Sequence, residues 1–399
     1  MRKAIAIISI AISLITFSSC CSKQNETKAK YIFLFIGDGM GATHVAAAES
    51  YLSYKADKLG GEQLLMTTFP YYGTATTHSA DRHVTCSSAA GTAIACGEKA
   101  NNGTVGINKD SVNIKSVAYC LQDDGYNIGI ITTVPVNHAT PSAFYAHNIK
   151  RSNHYEIALD LPGSGFNFFA SAGFLDYKGK DGKKDDINQV IESQGYTVCY
   201  GLDEYNTNGA GKDKVVFCQA SSKDESAENY VSDAKAEEDI TIAKMVELGI
   251  ESLGDDEPFF IMCEGGTIDW AAHDNRTMSM VTDVIAFDQA VKVAYDFYLQ
   301  HPDETLIIVT ADHETGGLTL GAGSSTINWE KLENEWIATD KKDVTDYDTN
   351  RRHNKSCSIG WTTGSHTGGP VPVFSIGKGA EKFNGRIDNT DIKGKILGE

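Results

Sequence analysis

Tyr31-Ile32-Phe33-Leu34-Phe35-Ile36 runs directly into Gly37-Asp38-Gly39-Met40-Gly41. Six β-prone apolar residues without polar alternation predict a strand buried on both faces, and the glycines predict a sharp turn at its carboxyl end. The Ala-rich stretch 42–54 then predicts a helix. Working outward, apolar runs at Asn127–Thr132, 258–263, Thr305–Thr310 and 371–376 read as further buried strands, with helical patterns between them, notably 234–252 and 280–300. Strands alternating with helices imply an α/β fold whose mainly parallel sheet is covered on both faces. Segment 178–186 reads as a charged surface loop. Segment 321–362 is polar, lacks a long apolar run and reads as a small insert over the site, not a separate domain. No internal repeat or low-complexity tract interrupts the pattern.

The chain has 399 residues, long enough for a large core, and a formal charge of −18. That acidity argues against nucleic-acid binding and against adhesion to an anionic membrane. It would also repel an anionic substrate, so any anion site needs strong local positive charge from metals or Arg. The start carries an address. Met1-Arg2-Lys3 is basic, and 4–15 is an apolar run shorter than the roughly 20 residues a bilayer span needs. It reads as a signal peptide over 1–20. Phe17-Ser18-Ser19-Cys20 resembles a bacterial lipoprotein processing site, with Cys20 lipidated; a plain secretory signal is the alternative. Residues 21–30 read as a flexible tether, and the catalytic part starts at Tyr31. The expectation is an exported protein of the periplasm or cell envelope, touching membrane only through a lipid. None of the remaining cysteines forms a C-x-x-C pair. A Cys199–Cys218 bridge is compatible with an oxidising compartment.

The polar residues of interest follow strand ends: Asp38, Glu264, Asp312 and His366. Open α/β sheets place their sites beyond the carboxyl ends of their strands. In Glu264-Gly265-Gly266-Thr267-Ile268-Asp269-Trp270-Ala271-Ala272-His273, Asp269 and His273 are four apart, on one face of a helix, able to grip one metal. Alone, the pair would be read as a surface ion pair; the two glycines beside it weaken that reading. Asp312-His313 follows a buried strand and suits a zinc ligand pair. His366 lies among small residues in Gly364-Ser365-His366-Thr367-Gly368-Gly369. In Val84-Thr85-Cys86-Ser87-Ser88-Ala89-Ala90, helix formers follow Ser87. That puts Ser87 at a helix N-terminus, which favours an anion, though a simple Ser cap would look the same.

Together and in this order, these segments resemble the alkaline phosphatases, from about Tyr31 to the C-terminus. The resemblance implies a three-layer α/β/α sandwich and metal-dependent hydrolysis of small-molecule phosphate monoesters through a phosphoserine at Ser87, releasing phosphate and an alcohol. It implies two zinc ions and one magnesium ion. Asp269, His273 and His366 would hold the first zinc, and Asp312, His313, Asp38 and Ser87 would surround the second. Asp38, Thr140 and Glu264 would hold magnesium. Thr140 lies in His138-Ala139-Thr140-Pro141, and Arg151, eleven residues on, would grip the phosphate. Three divalent ions and Arg151 outweigh the four carboxylates by just the charge of a phosphate dianion and a serine alkoxide. The family also suggests a homodimer.

The chain departs from the family pattern at Cys86, where an Asp that orients the Arg is usual; a looser Arg151 and weaker phosphate binding are expected. A sulfatase signature would need Pro and Arg after that Cys, and Ser and Ala stand there instead. His138 and Trp270 shape the surroundings of the metal sites, and His138 makes magnesium less secure in the third. Two other readings compete: a phosphodiesterase, disfavoured by the third-metal set and Arg151, and a metal-binding lipoprotein without catalysis, for which only Cys86 speaks.

Overall fold

The protein is described by a computed structural model covering residues 28–223, 239–338 and 347–399. The signal peptide, Cys20 and most of the tether fall outside the described residues, as does 234–238 of the expected helix.

Ten strands form one sheet in the order β14-β2-β13-β8-β1-β7-β3-β4-β6-β5. They are β1 (Tyr31–Gly37), β2 (Tyr71–Thr76), β3 (Asn127–Thr132), β4 (Phe168–Ser171), β5 (Thr197–Tyr200), β6 (Val215–Cys218), β7 (Phe259–Gly265), β8 (Thr305–Thr310), β13 (Val371–Gly377) and β14 (Gly385–Asp388). Short strands β9 (Glu314–Thr315), β10 (Leu318–Leu320), β11 (Ile359–Trp361) and β12 (His366–Thr367) make two small ribbons, β10 with β11 and β12 with β9. Every strand of the large sheet is parallel to its neighbours except β13, which is antiparallel to both β2 and β8.

The five strands expected from sequence are β1, β3, β7, β8 and β13. All seven residues of β1 are buried, as its continuous apolar run requires in a sheet covered on both sides. β2, by contrast, alternates buried with half-exposed side chains near the sheet edge, and β4, β5 and β6 are four residues each. The helix expected over 42–54 forms at Ala42–Lys55, and the long one at Thr277–Tyr298. The second half of the expected 234–252 helix forms at Ile242–Leu253, with Thr241 Oγ1 capping it through Lys244 N–H. The Ala42–Lys55, Ile242–Leu253 and Thr277–Tyr298 helices pack together, and Ser87–Cys96 packs with Val117–Asp123, Ala139–Ser142 and Asp391–Leu397. These two groups are the outer layers of an α/β/α sandwich.

Segment 321–362 contains the helices Trp329–Ala338 and Tyr347–Ser356 and ends in β11. Its tryptophans pack it down: Trp329 Nε1 donates to Ser50 Oγ at 3.0 Å and Trp361 Nε1 to Thr277 Oγ1 at 3.0 Å. The Cys199–Cys218 bridge is not formed; both thiols are free. The β5–β6 register pairs Cys199 with Phe217 and Tyr200 with Cys218, so the two sulfurs point to opposite faces of the sheet.

Candidate active site

The register of the central strands brings the acids together. β1 lies between β7 and β8, pairing Ile36 with both Glu264 and Thr310. Asp38, Glu264 and Asp312 therefore leave three adjacent strands at one edge, and all three are fully buried. Gly39, at φ +68, makes the turn; a Cβ there would stand 2.7 Å from Thr315 Oγ1 and 2.8 Å from Asp269 Oδ1.

His313 is the hub of one cluster. Its Nε2 is 3.1 Å from Asp312 Oδ2, 3.3 Å from Asp38 Oδ1 and 3.2 Å from Ser87 Oγ. The tautomer follows from the other side of the ring. Thr315 Oγ1 donates its one hydrogen to Asp269 Oδ1 at 2.5 Å, so it can only accept from His313 Nδ1 at 3.2 Å. The Nε2 lone pair therefore faces two carboxylate oxygens, an arrangement that calls for a cation among them.

A second cluster shows the same signature. On the Thr267–His273 helix, Asp269 Oδ2 is 3.3 Å from His273 Nε2, one turn away. β12 pairs with β9 and places His366 opposite Thr315. His273 Nδ1 donates to Gly364 O at 2.7 Å and His366 Nδ1 to Thr85 O at 2.9 Å. Carbonyls only accept, so both Nε2 atoms offer lone pairs, yet they stand 3.1 Å apart. Only a proton or a cation between them relieves that contact. Burial opposes charge on His273, but the hydrogen bond and charge of Asp269 outweigh it and lift its pKa to about 9. Burial pushes the Asp312 carboxyl up to about 8 and Asp38 well above its usual range, each reinforced by neighbouring acids. These are protons held where cations fit.

A third group surrounds Glu264. Thr132, its register partner on β3, donates to Glu264 Oε2. Glu264 Oε1, Thr140 Oγ1 and both Asp38 oxygens are buried without hydrogen-bond partners among the described residues, and such atoms need one. Burial raises Glu264 to about 7, against the opposing Thr132 hydroxyl. The all-oxygen donor set is that of a hard cation.

Ser87 begins the Ser87–Cys96 helix, with Cys86 as its cap residue, and is buried against His313. Cys86 Sγ lies 3.2 Å from Ser88 Oγ and accepts from Gly103 N–H at 3.1 Å. Burial works against the thiolate, but Ser88 and the Ala89 and Gly103 amides outweigh it, so the Cys86 pKa is lowered. Arg151 is not left loose by the absent acid. Its backbone N–H donates to Gly103 O at 2.7 Å, fixing the main chain, and its Nη2 donates to His138 Nε2 at 3.2 Å. His138 stands edge-on to Trp270, ring centroids 5.7 Å apart. Burial, then the Arg151 charge, lower its pKa to about 3, so it remains a neutral acceptor.

The profile of the family described as "Alkaline phosphatase" matches residues 29–235 and 178–397. The chain belongs to the alkaline phosphatase family. Alkaline phosphatase 4 of Bacillus subtilis (strain 168) is 31% identical over 423 residues, spanning 94% of this chain and 90% of that one. Among solved structures, the alkaline phosphatase from the Antarctic bacterium TAB5 superposes with a TM-score of 0.76 at 30% identity, over 93% of this chain and 98% of that one. The cold-active alkaline phosphatase of Shewanella sp. gives 0.80 at 26% identity, over 92% and 98%. Variants of the TAB5 protein with a histidine replaced by Glu or Asp are described with Mg in the M3 site.

All thirteen residues singled out in the sequence lie in the site's clusters or beside them. The sequence reading missed Thr132, Thr315, Thr85, Gly364 and Gly103, which orient its ligands. Thr132 carried one signal, as the polar end of a buried strand; for the others, only the fold supplies one.

Proposed function

We propose that this chain hydrolyses phosphate monoesters in a metal-dependent reaction with Ser87 as nucleophile. The observation that carries the reading is the convergence of Ser87 Oγ, Asp38 and Asp312 on the His313 lone pair. We assign Asp269, His273 and His366 to a first zinc ion and Asp38, Asp312, His313 and Ser87 to a second. Asp38, Thr140 and Glu264 are assigned to a third cation, magnesium. Bound divalent cations supply Lewis-acid charge stabilisation and lower the pKa of a coordinated hydroxyl.

The remaining work falls to the chain. The start of the Ser87–Cys96 helix presents free N–H groups toward an anion beside Ser87. Ser87 Oγ attacks phosphorus, the ester oxygen leaves as alcohol, and water then releases phosphate from the phosphoserine. Arg151, its guanidinium steadied by His138 and its backbone by the Gly103 carbonyl, clamps two non-bridging oxygens. Such positioning and charge stabilisation carry most of phosphoryl transfer.

The wider proposals rest on the same footing: a lipoprotein-type signal over 1–20 with Cys20 anchored, a tether over 21–30, a catalytic unit over 31–399 carrying the insert, an envelope or periplasmic location and a homodimer. No helix among the described residues is long and apolar enough to cross a membrane. The test of function is phosphate release from an aryl monoester and the matching diester, with zinc and magnesium and with chelator. Fast, chelator-sensitive monoester cleavage is expected; a diester preference overturns the reading. In Ser87→Ala, labelled phosphoenzyme disappears; a label that persists refutes the nucleophile.

A further inference from the structure

Away from the metal clusters, the Tyr347–Ser356 helix faces Ala322, Gly360 and Trp361 across a pocket of about 460 Å³. Three cations line it, Arg351, Arg352 and Lys355, against one acid, Asp348. Acids outnumber Lys and Arg by 53 to 35 in this chain, yet among the described residues none of these cations has an ion-pair partner. Arg351 is held in place: its Nε donates to Trp361 O at 3.0 Å and its Nη2 to Thr362 O at 3.4 Å. That leaves three of the five guanidinium hydrogens for another acceptor. The helix dipole favours a cation in the last turn, where Lys355 lies. It does not account for Arg351 a turn earlier, or for the concave wall opposite.

The pocket adjoins the first metal cluster through one helix. Tyr347 packs on Gly364, where a Cβ would stand 2.8 Å from its Cε2, and Gly364 O holds His273. Arg351 is one turn further along, about 6 Å.

We propose that Arg351, Arg352 and Lys355 form an oxyanion-binding subsite beside the metal centre. Its ligand is a phosphate-, sulfate- or sulfonate-type group, on the leaving group of a phosphomonoester or on a separate small anion. The leaving-group form rests on the phosphatase reading; the subsite itself does not.

The test titrates the full metal-loaded chain by calorimetry with alkyl phosphonates of several lengths, ending in a neutral group or in a sulfonate. A sulfated disaccharide lacking phosphorus is titrated separately. Arg352→Ala/Lys355→Ala is the comparison variant. Neither side chain holds the fold: among the described residues Arg352 bonds only Thr349 Oγ1 and Lys355 Nζ bonds no partner, and an unchanged melting temperature checks this. With one linker length, the sulfonate is expected to tighten binding to the wild type about tenfold at low salt, and to leave a ratio near one in the variant. Sulfated disaccharide binding that the variant loses, without any tail advantage, keeps the subsite and assigns it a separate anion. A tail ratio of one in the wild type with no disaccharide binding, or effects equal in both proteins, overturns the proposal. Aryl phosphate turnover on the same sample judges the phosphatase reading separately, because none of the titrations needs turnover.

Discussion

Stripping the metals should make this protein less stable as pH rises from 6.5 to 8. The acids set the sign. Asp312 is lifted by burial to about 8 and Glu264 to about 7, so in the folded chain they still hold protons that the unfolded chain has lost. A group with a raised folded pKa gives stability that is present below its unfolded pKa and lost as pH climbs to the folded one. At about 1.4 kcal/mol per proton and pH unit, Asp312 loses about 2 kcal/mol over this interval and Glu264 about 1 kcal/mol. Asp38 and the more exposed His273 act in the same direction. The buried histidines with lowered pKa, His138, His313 and His366, have the opposite sign. At pH 6.5 the unfolded imidazole is still half protonated, so together they return about 1 kcal/mol above that pH, which the losses from Asp38 and His273 offset. A loss of about 3 kcal/mol corresponds to about 4 °C for a chain of this size. Thermal melts with chelator at the two pH values measure it, and matched melts with zinc and magnesium should lose the slope, because cations replace the protons. A chelated protein whose melting temperature is flat or rises toward pH 8 would refute the argument.

Three substitutions test single contacts. Cys86→Asp places a carboxylate near Arg151 and should tighten competitive inhibition by phosphate several-fold; an unchanged inhibition constant counts against a tethering role for this position. His138→Ala removes the acceptor for Arg151 Nη2, a hydrogen bond to a charged group, and should weaken phosphate inhibition about tenfold, while an equally tight inhibitor would show that this contact does not position the guanidinium. Gly39→Ala drives a Cβ into Thr315 and Asp269 and should cost one equivalent of bound zinc by metal analysis; full zinc content would show that the turn relaxes without moving Asp269.

The sequence alone determined the sheet centre and the chemistry it carries. The middles of β1, β3, β7 and β8 are continuous apolar runs, as burial on both faces requires, so each declares itself locally. The Gly-rich turns behind them, and the i, i+4 spacing of Asp269 and His273, are equally local. The short strands β4, β5 and β6 and the half-exposed β2 have no such signature, and the antiparallel insertion of β13 between β8 and β2 is a matter of topology. Tertiary structure decided what orients each ligand. Thr315 sets the His313 tautomer while holding Asp269, Thr85 and Gly364 turn two imidazoles toward each other, and His138 contacts Arg151, which the sequence reading expected to be looser for want of an acid at Cys86. The physical reason is range: the Thr85–His366 and Thr132–Glu264 contacts span 281 and 132 residues, and a lone threonine or backbone carbonyl gains its role only when the packed sheet edge brings it within a hydrogen bond of its partner.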